Sequence, residues 1–144
     1  MLRDREIKIV IVEDDLYYNK ALKKYIETIC DEQIYRKYNF IIKSYLTAHE
    51  CIEELEDDTD LMLLDYYLVN KDDDEVLTGE DVLDEVNKHC HDCKVIMISS
   101  QENPEITDQL KQKGVVQYID KRVNTKNRIG AEIKKLIQQQ YHAA

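Results

Sequence analysis

Five residues in this sequence carry reactive groups at comparable places. Glu13 and Asp14, Asp65, Ser99 and Lys121 each stand at or within two residues of the end of a short, mainly apolar run, at 7–12, 61–64, 95–98 and 115–119. Runs that short and continuous read as strands buried on both faces, as in a parallel sheet. In open α/β sheets, ligands lie just beyond the carboxyl ends of the strands. If these strands are neighbours, three carboxylates, a hydroxyl and an ammonium meet at one edge. Three carboxylates so placed repel by ~4 kcal/mol per pair at ~4 Å and an effective dielectric of ~20. A hard divalent cation relieves this, and Mg²⁺ prefers one or two carboxylates plus waters and a substrate phosphate. Lys121 adds a mobile point charge suited to phosphate, and Ser99 adds a hydroxyl able to donate to a phosphoryl oxygen. The set suits phosphoryl transfer, with Asp65 as covalent nucleophile. Singly, each residue also has a plain structural reading. The acids can cap helices or start turns, and Ser99 can be a strand-end hydroxyl. Joint occurrence at one edge is what favours the chemistry.

The elements that must position these groups alternate regularly. The first strand, 7–12, is followed by a helix at 16–30, with Leu22, Tyr25, Ile26 and Ile29 at helical spacing. A polar connection, 31–39, leads to a second strand at 40–45, which Lys43 and Ser44 make polar enough for an edge. Thr47 caps a helix expected over 48–56. The third strand, 61–64, exits at Asp65. A loop over 66–77 holds four consecutive acids, Asp72 to Glu75, which favour a solvated state and lack the spacing and Gly of a calcium loop. Thr78 and Asp81 form an acidic variant of the capping box for a helix carrying Val82, Leu83 and Val86. After the fourth strand, Asn103 caps and Pro104 opens a helix with Ile106 and Leu110 on its buried side, ended by Gly114. The fifth strand, 115–119, precedes a helix at 125–140 with Ile129, Ile133, Leu136 and Ile137 on one face. Gly130 inside that helix costs up to ~1 kcal/mol relative to Ala. Five strand–helix alternations demand a parallel sheet with right-handed crossovers and helices on both faces.

Composition narrows the function classes. A length of 144 residues fits one domain. The net charge of -10 argues against direct nucleic-acid binding and against anionic membranes. No apolar run approaches the ~20 residues of a membrane span, and the N-terminus lacks an apolar signal core. A soluble, cytoplasmic protein is expected, with its four cysteines as free thiols. His89, Cys90, His91 and Cys93 look like half of a zinc site. The candidates for the other half, His49 and Cys51, are expected at the opposite end of the sheet, so free thiols are the default.

Val10-Ile11-Val12-Glu13-Asp14-Asp15, Leu63-Leu64-Asp65, Val95-Ile96-Met97-Ile98-Ser99 and Tyr118-Ile119-Asp120-Lys121 together resemble a bacterial two-component response-regulator receiver domain of CheY-like type. The resemblance spans residues 6–140 of one domain, 1–144. It implies a flavodoxin-like (βα)5 three-layer sandwich with strand order 2-1-3-4-5. It further implies that Asp65 accepts a phosphoryl group from a phosphohistidine on a sensor histidine kinase or phosphotransfer protein. Mg²⁺ would be held by Glu13, Asp14, Asp65 and the backbone carbonyl of Tyr67. Ser99 and Lys121 would contact the phosphoryl oxygens. Tyr118 would turn inward behind Ser99 and change the face made by the fourth helix, fifth strand and fifth helix, where such domains dimerise or meet partners. Such a domain phosphorylates only itself and is not a turnover enzyme. Tyr118 reads equally well as an aromatic on an edge strand.

The sequence departs from the family pattern in four places. Arg122 replaces the Pro usual after the lysine, and a cis non-proline bond costs ~3 kcal/mol, so a trans peptide is expected. Ser100 stands where Ala is usual, the segment between Asp65 and Gly79 is longer and lacks its Pro, and Glu13 replaces the commoner Asp. Two other readings share some of this chemistry. A haloacid-dehalogenase-type phosphatase would place its nucleophilic Asp after the first strand, and its acidic pair last. A flavodoxin-like module would need a phosphate-cradling loop where Glu13-Asp14-Asp15 offers negative charge. No Gly-rich phosphate loop and no G-x-S-x-G motif occurs.

Overall fold

The structure, a computed structural model, describes residues 5–68, 78–100, 103–122 and 124–141. The elements are β1 (Arg5–Val12), α1 (Leu16–Cys30), β2 (Tyr38–Tyr45), α2 (Ala48–Glu54), β3 (Leu61–Asp65), α3 (Gly79–His89), β4 (Lys94–Ser99), α4 (Pro104–Gln112), β5 (Val115–Asp120) and α5 (Thr125–Tyr141). The sheet is parallel throughout, in the order β2-β1-β3-β4-β5, as the resemblance implied.

Strand periodicity sorts the apolar residues into two cores. Ile7, Ile9 and Ile11 of β1, with Leu61 and Leu63, Ile96 and Ile98, face α1 and α5, meeting Leu22, Ile26, Ile129, Ile133 and Ile137. Val10, Val12, Met62, Leu64, Val95 and Met97 face the other way, onto Ala48, Cys51, Val82, Leu83, Val86 and Leu110 of α2, α3 and α4. The result is three layers. Gly130 is explained by this packing: a Cβ there would lie 2.5 Å from the Tyr25 hydroxyl and 3.2 Å from Ile29 Cδ1, so its helix cost is offset by close approach of α1. β2 lies at an edge and buries its residues only partly, as its polarity suggested.

The helix starts follow the capping chemistry. Thr47 Oγ1 accepts from Glu50 N at 3.1 Å, and Asn103 Oδ1 accepts from Glu105 N at 3.1 Å. Both arms of the Thr78–Asp81 capping box are present. Three local expectations are corrected. α2 ends at Glu54 rather than at 56, because Glu56 and Asp58 turn back to Lys8 Nζ, 2.9 and 2.8 Å away. The 31–39 connection contains a one-turn 3-10 helix, Gln33–Tyr35, which buries Tyr35. β2 begins at Tyr38, whose buried ring meets Phe40 edge-on at 6.0 Å. The acidic stretch Asp72 to Glu75 lies outside the described residues. No helix among the described residues is long and apolar enough to cross a membrane.

Candidate functional site

Strand register places the reactive groups level with one another. Val12 pairs with Leu64, Leu64 with Met97, Asp65 with Ile98 and Ser99 with Asp120. Each strand therefore presents its next side chain at the same carboxyl edge, Glu13 beside Asp65 and Lys121 one step past Ser99. Glu13, Asp65 and Ser99 are buried, and Asp14 is half-buried. Ligand oxygens of Glu13, Asp14 and Asp65 all lie within 4.8 Å of one another, the one such metal-capable group among the described residues.

Lys121 is the counter-ion. Its ammonium pairs with Glu13 Oε1 and lies 3.2 Å from Asp65 Oδ2. Burial pulls its pKa down, but the two carboxylates outweigh burial and hold it above the ordinary lysine value. One ammonium does not balance the acids. Burial, then Glu13, pushes the Asp65 carboxyl up to about 8. Burial and the neighbouring Asp14 carboxyl raise Glu13 too, against the pull of Lys121. Excess buried negative charge is the condition under which a divalent cation fits. All the acids are hard oxygen donors, which suits Mg²⁺.

The surrounding backbone fixes these groups. Tyr67, the residue expected to add a carbonyl ligand, donates its N–H to Asp65 Oδ1 at 3.3 Å. Asp15, not Glu13 or Asp14, caps α1, accepting from Tyr18 N at 3.0 Å, while its own N–H donates to Glu13 Oε2 at 3.1 Å. Buried Asn19 donates to the carbonyls of Glu13 (2.9 Å) and Tyr45 (3.0 Å), tying the exits of β1 and β2 together. Lys121 N donates to Ser99 O at 2.8 Å, continuing the ladder past β5. Tyr118 is half-buried, and its phenol is in hydrogen-bonding contact with the Ser99 side chain.

Four participants escape the sequence reading. Gly79 N donates to Tyr66 O at 2.8 Å, and a Cβ on Gly79 would lie 2.4 Å from the Asp65 carbonyl oxygen and 2.8 Å from Tyr66 Cα. Only glycine lets α3 start against the backbone that carries Asp65. The Tyr18 ring lies under Lys121 Nζ, 4.8 Å from its centroid. Arg122 folds back on Asp120, with Nε 3.0 Å from Oδ1 and a terminal nitrogen 2.7 Å from Oδ2. This fork, with the Arg122 N–H on Oδ1 at 2.8 Å, holds the Asp120 carboxyl down at about 2. No cis peptide occurs among the described residues, so the Lys121–Arg122 bond is trans as expected. A sequence signal existed for the fork, an Asp and an Arg two apart at a strand end; Tyr18 offered none.

Among the described residues, the metal-capable group of acids includes no cysteine. Cys51 and Cys90 share one core layer with Cys93 packed against it, nearer to one another than the sequence reading placed them, and all four thiols are free.

The family model for the response regulator receiver domain matches residues 9–134. No curated protein matches the chain significantly. Among solved structures, a signal receiver domain from Vibrio parahaemolyticus superposes with a TM-score of 0.73 at 21% identity, over 93% of this chain and 92% of that one. A CheY-like receiver domain protein from Methanospirillum hungatei gives 0.68 at 24% identity, over 95% and 98%. The response regulator TrrA of Thermotoga maritima, solved in complex with Mg²⁺ and BeF, gives 0.68 at 19% identity, over 90% and 98%. At these identities the structures establish the fold, and the phosphatase and flavin-binding alternatives lapse with the match over 9–134. A sequence match over most of the chain, on a sheet whose exits gather three acids and a lysine, makes this chain a member of the response regulator receiver domain family.

Proposed function

We propose that the chain is a phosphorylation-controlled switch in which Asp65 takes a phosphoryl group from the phosphohistidine of a sensor histidine kinase or phosphotransfer protein. The observation that carries this is the cluster itself: three acid oxygens within 4.8 Å of one another, with Lys121 against two of the acids. An Asp65 oxygen attacks phosphorus, the P–N bond breaks, and its electron pair leaves on the imidazole nitrogen, which then takes up a proton. Lys121, already 3.2 Å from Asp65, pairs with the transferred oxygens, and the Ser99 hydroxyl donates to them. Bound Mg²⁺, which accompanies BeF in the Thermotoga protein, supplies charge neutralisation for the transferring group. Glu13, Asp14, Asp65 and the Tyr67 carbonyl are the groups that would hold it.

When Ser99 turns to the phosphoryl group, its contact with Tyr118 changes. Tyr118 sits on β5 between α4 and α5, so a local hydrogen bond biases that face. This α4–β5–α5 surface, where Val116 is exposed, is the place for a partner or a second copy. The chain is its own substrate in this reading, with slow self-dephosphorylation and no turnover of external esters. Its net charge of -10 supports protein partners over nucleic acid or membrane, and its free thiols support a cytoplasmic setting.

Incubation with Mg²⁺ and acetyl phosphate tests this. Intact-mass spectrometry is expected to show one added phosphoryl group, removed by hydroxylamine and absent in Asp65→Asn. Equal uptake by Asp65→Asn overturns the assignment.

A further inference from the structure

Lys121 faces a conflict that the metal reading creates. Its ammonium rests on Glu13 and Asp65, and both acids belong to the group that would hold Mg²⁺. A cation that draws on those acids competes with Lys121 for them, most directly at Glu13. An ammonium released there and left unsupported would swing toward water, away from the oxygens it must later meet.

The third contact is not in competition. The Tyr18 ring face lies 4.8 Å from Lys121 Nζ, and an aromatic face does not ligate Mg²⁺. The ring is held in place. Tyr18 sits in the first turn of α1, its backbone N–H is capped by Asp15 at 3.0 Å, and its side chain packs against the α1–α5 core. Its hydroxyl is buried and has no hydrogen-bond partner in good geometry among the described residues. Thr125 beside it spends its own hydroxyl proton on the Asp120 carbonyl, 3.0 Å away. The ring therefore acts on Lys121 through its π face and not through its hydroxyl.

We propose that Tyr18 is a positioning residue whose ring keeps the Lys121 ammonium beside Asp65 when a divalent cation occupies the acidic cluster. The proposal rests on the metal reading above and adds to it the means by which Lys121 stays in reach. Lys121 moves its weight from Glu13 to the ring without leaving the site, so it is in place when the phosphoryl oxygens arrive. A cation–π contact is worth roughly a 2-fold change in an equilibrium when exposed and about 30-fold when desolvated.

Two measurements test this on the intact protein. In NMR spectra, the ε-methylene protons of Lys121 over the ring are expected to be shifted upfield. That shift should persist at saturating Mg²⁺ in the wild type and in Tyr18→Phe, and collapse in Tyr18→Leu. Phosphoryl uptake from acetyl phosphate at saturating Mg²⁺ should fall about 2- to 30-fold in Tyr18→Leu and recover in Tyr18→Phe. The Mg²⁺ affinity, titrated on the Tyr66 amide, should stay within about twofold, since the ring acts after the metal is in place. In a Lys121→Met background, Tyr18→Leu should have no further effect. Loss of the upfield shift on adding Mg²⁺ to the wild type overturns the proposal, as does a Tyr18→Leu defect that persists without Lys121. If Mg²⁺ moves no resonance near Asp65, the metal reading itself fails and the proposal falls with it, so the two failures are separable.

Discussion

Replacing Asp65 with Asn should make the metal-free protein more stable while abolishing its chemistry. Asp65 and Glu13 hold their oxygens within 4.8 Å, which at an effective dielectric of about 20 is roughly 3–4 kcal/mol of repulsion. Lys121 at 3.2 Å returns about 5 kcal/mol by the same arithmetic. The balance is decided by burial, which costs a carboxylate several kcal/mol and is the largest cause of the raised Asp65 pKa. Asn keeps an oxygen for the Tyr67 N–H, and Lys121 keeps Glu13, so no new unpaired charge is left. The net expectation is about 2 kcal/mol of stabilisation, or about 4–8 °C in Tm. The sign with pH follows. A carboxyl raised in the folded state keeps a proton that the unfolded chain releases, so wild-type stability at this site falls as pH rises from the ordinary carboxylate range to about 8, then levels. The gap between Asp65→Asn and wild type should therefore widen from pH 5 to pH 8 and shrink in millimolar MgCl₂, which stabilises only the protein that binds it. Circular-dichroism melts in EDTA and in MgCl₂ read this directly. An Asp65→Asn protein melting at or below wild type in EDTA at pH 8 would refute the crowding from which the proposed metal site is argued.

Two further changes probe the supports of the site. Gly79→Ala puts a Cβ 2.4 Å from one backbone atom and 2.8 Å from another, neither of which can yield as a side chain would. It should cost about 2–3 kcal/mol in urea unfolding despite better helix propensity, and a change under about 0.5 kcal/mol would show that α3 does not bear on Asp65. Arg122→Gln removes the fork that holds Asp120 at about 2. Because that carboxyl is depressed, its contribution exists above the ordinary Asp range and is lost as pH falls toward 2. The variant should show a flatter acid limb between pH 4 and pH 2, and superimposable acid-unfolding curves would deny the fork any role.

The sheet was legible because buried parallel strands require unbroken apolar runs, and the capping residues mark where their helices begin. The site was legible for a related reason. In-register parallel strands end at one edge, so a residue that follows an apolar run has its position in space set by its position in sequence. Glu13, Asp65, Ser99 and Lys121 were found that way. Tyr18 was not, because its place under Lys121 depends on where α1 crosses the edge, and its helical spacing looks like that of any half-buried aromatic. Gly79 was hidden because a close backbone approach leaves no trace in hydropathy. The end of α2 was misplaced because Lys8, about fifty residues earlier in the chain, draws Glu56 and Asp58 away from the helix.

Arg122 shows how a departure from a family pattern can be read physically. Proline after the lysine stiffens that turn through its ring and surrenders an N–H. Here the N–H is kept and used, donating to Asp120 at 2.8 Å, while the guanidinium closes a fork on the same carboxylate. Asp120 is also joined to α5, its carbonyl accepting from Thr125 at 3.0 Å, and its strand partner is Ser99. One acid thus anchors the turn that carries Lys121 to the strand before it and the helix after it. The constraint that a ring would apply through torsion is applied here through charge. Lys121 is thereby held at its backbone by the turn that Asp120 and Arg122 close, while its ammonium lies among Glu13, Asp65 and the Tyr18 ring, which leaves the side chain only a short range of movement.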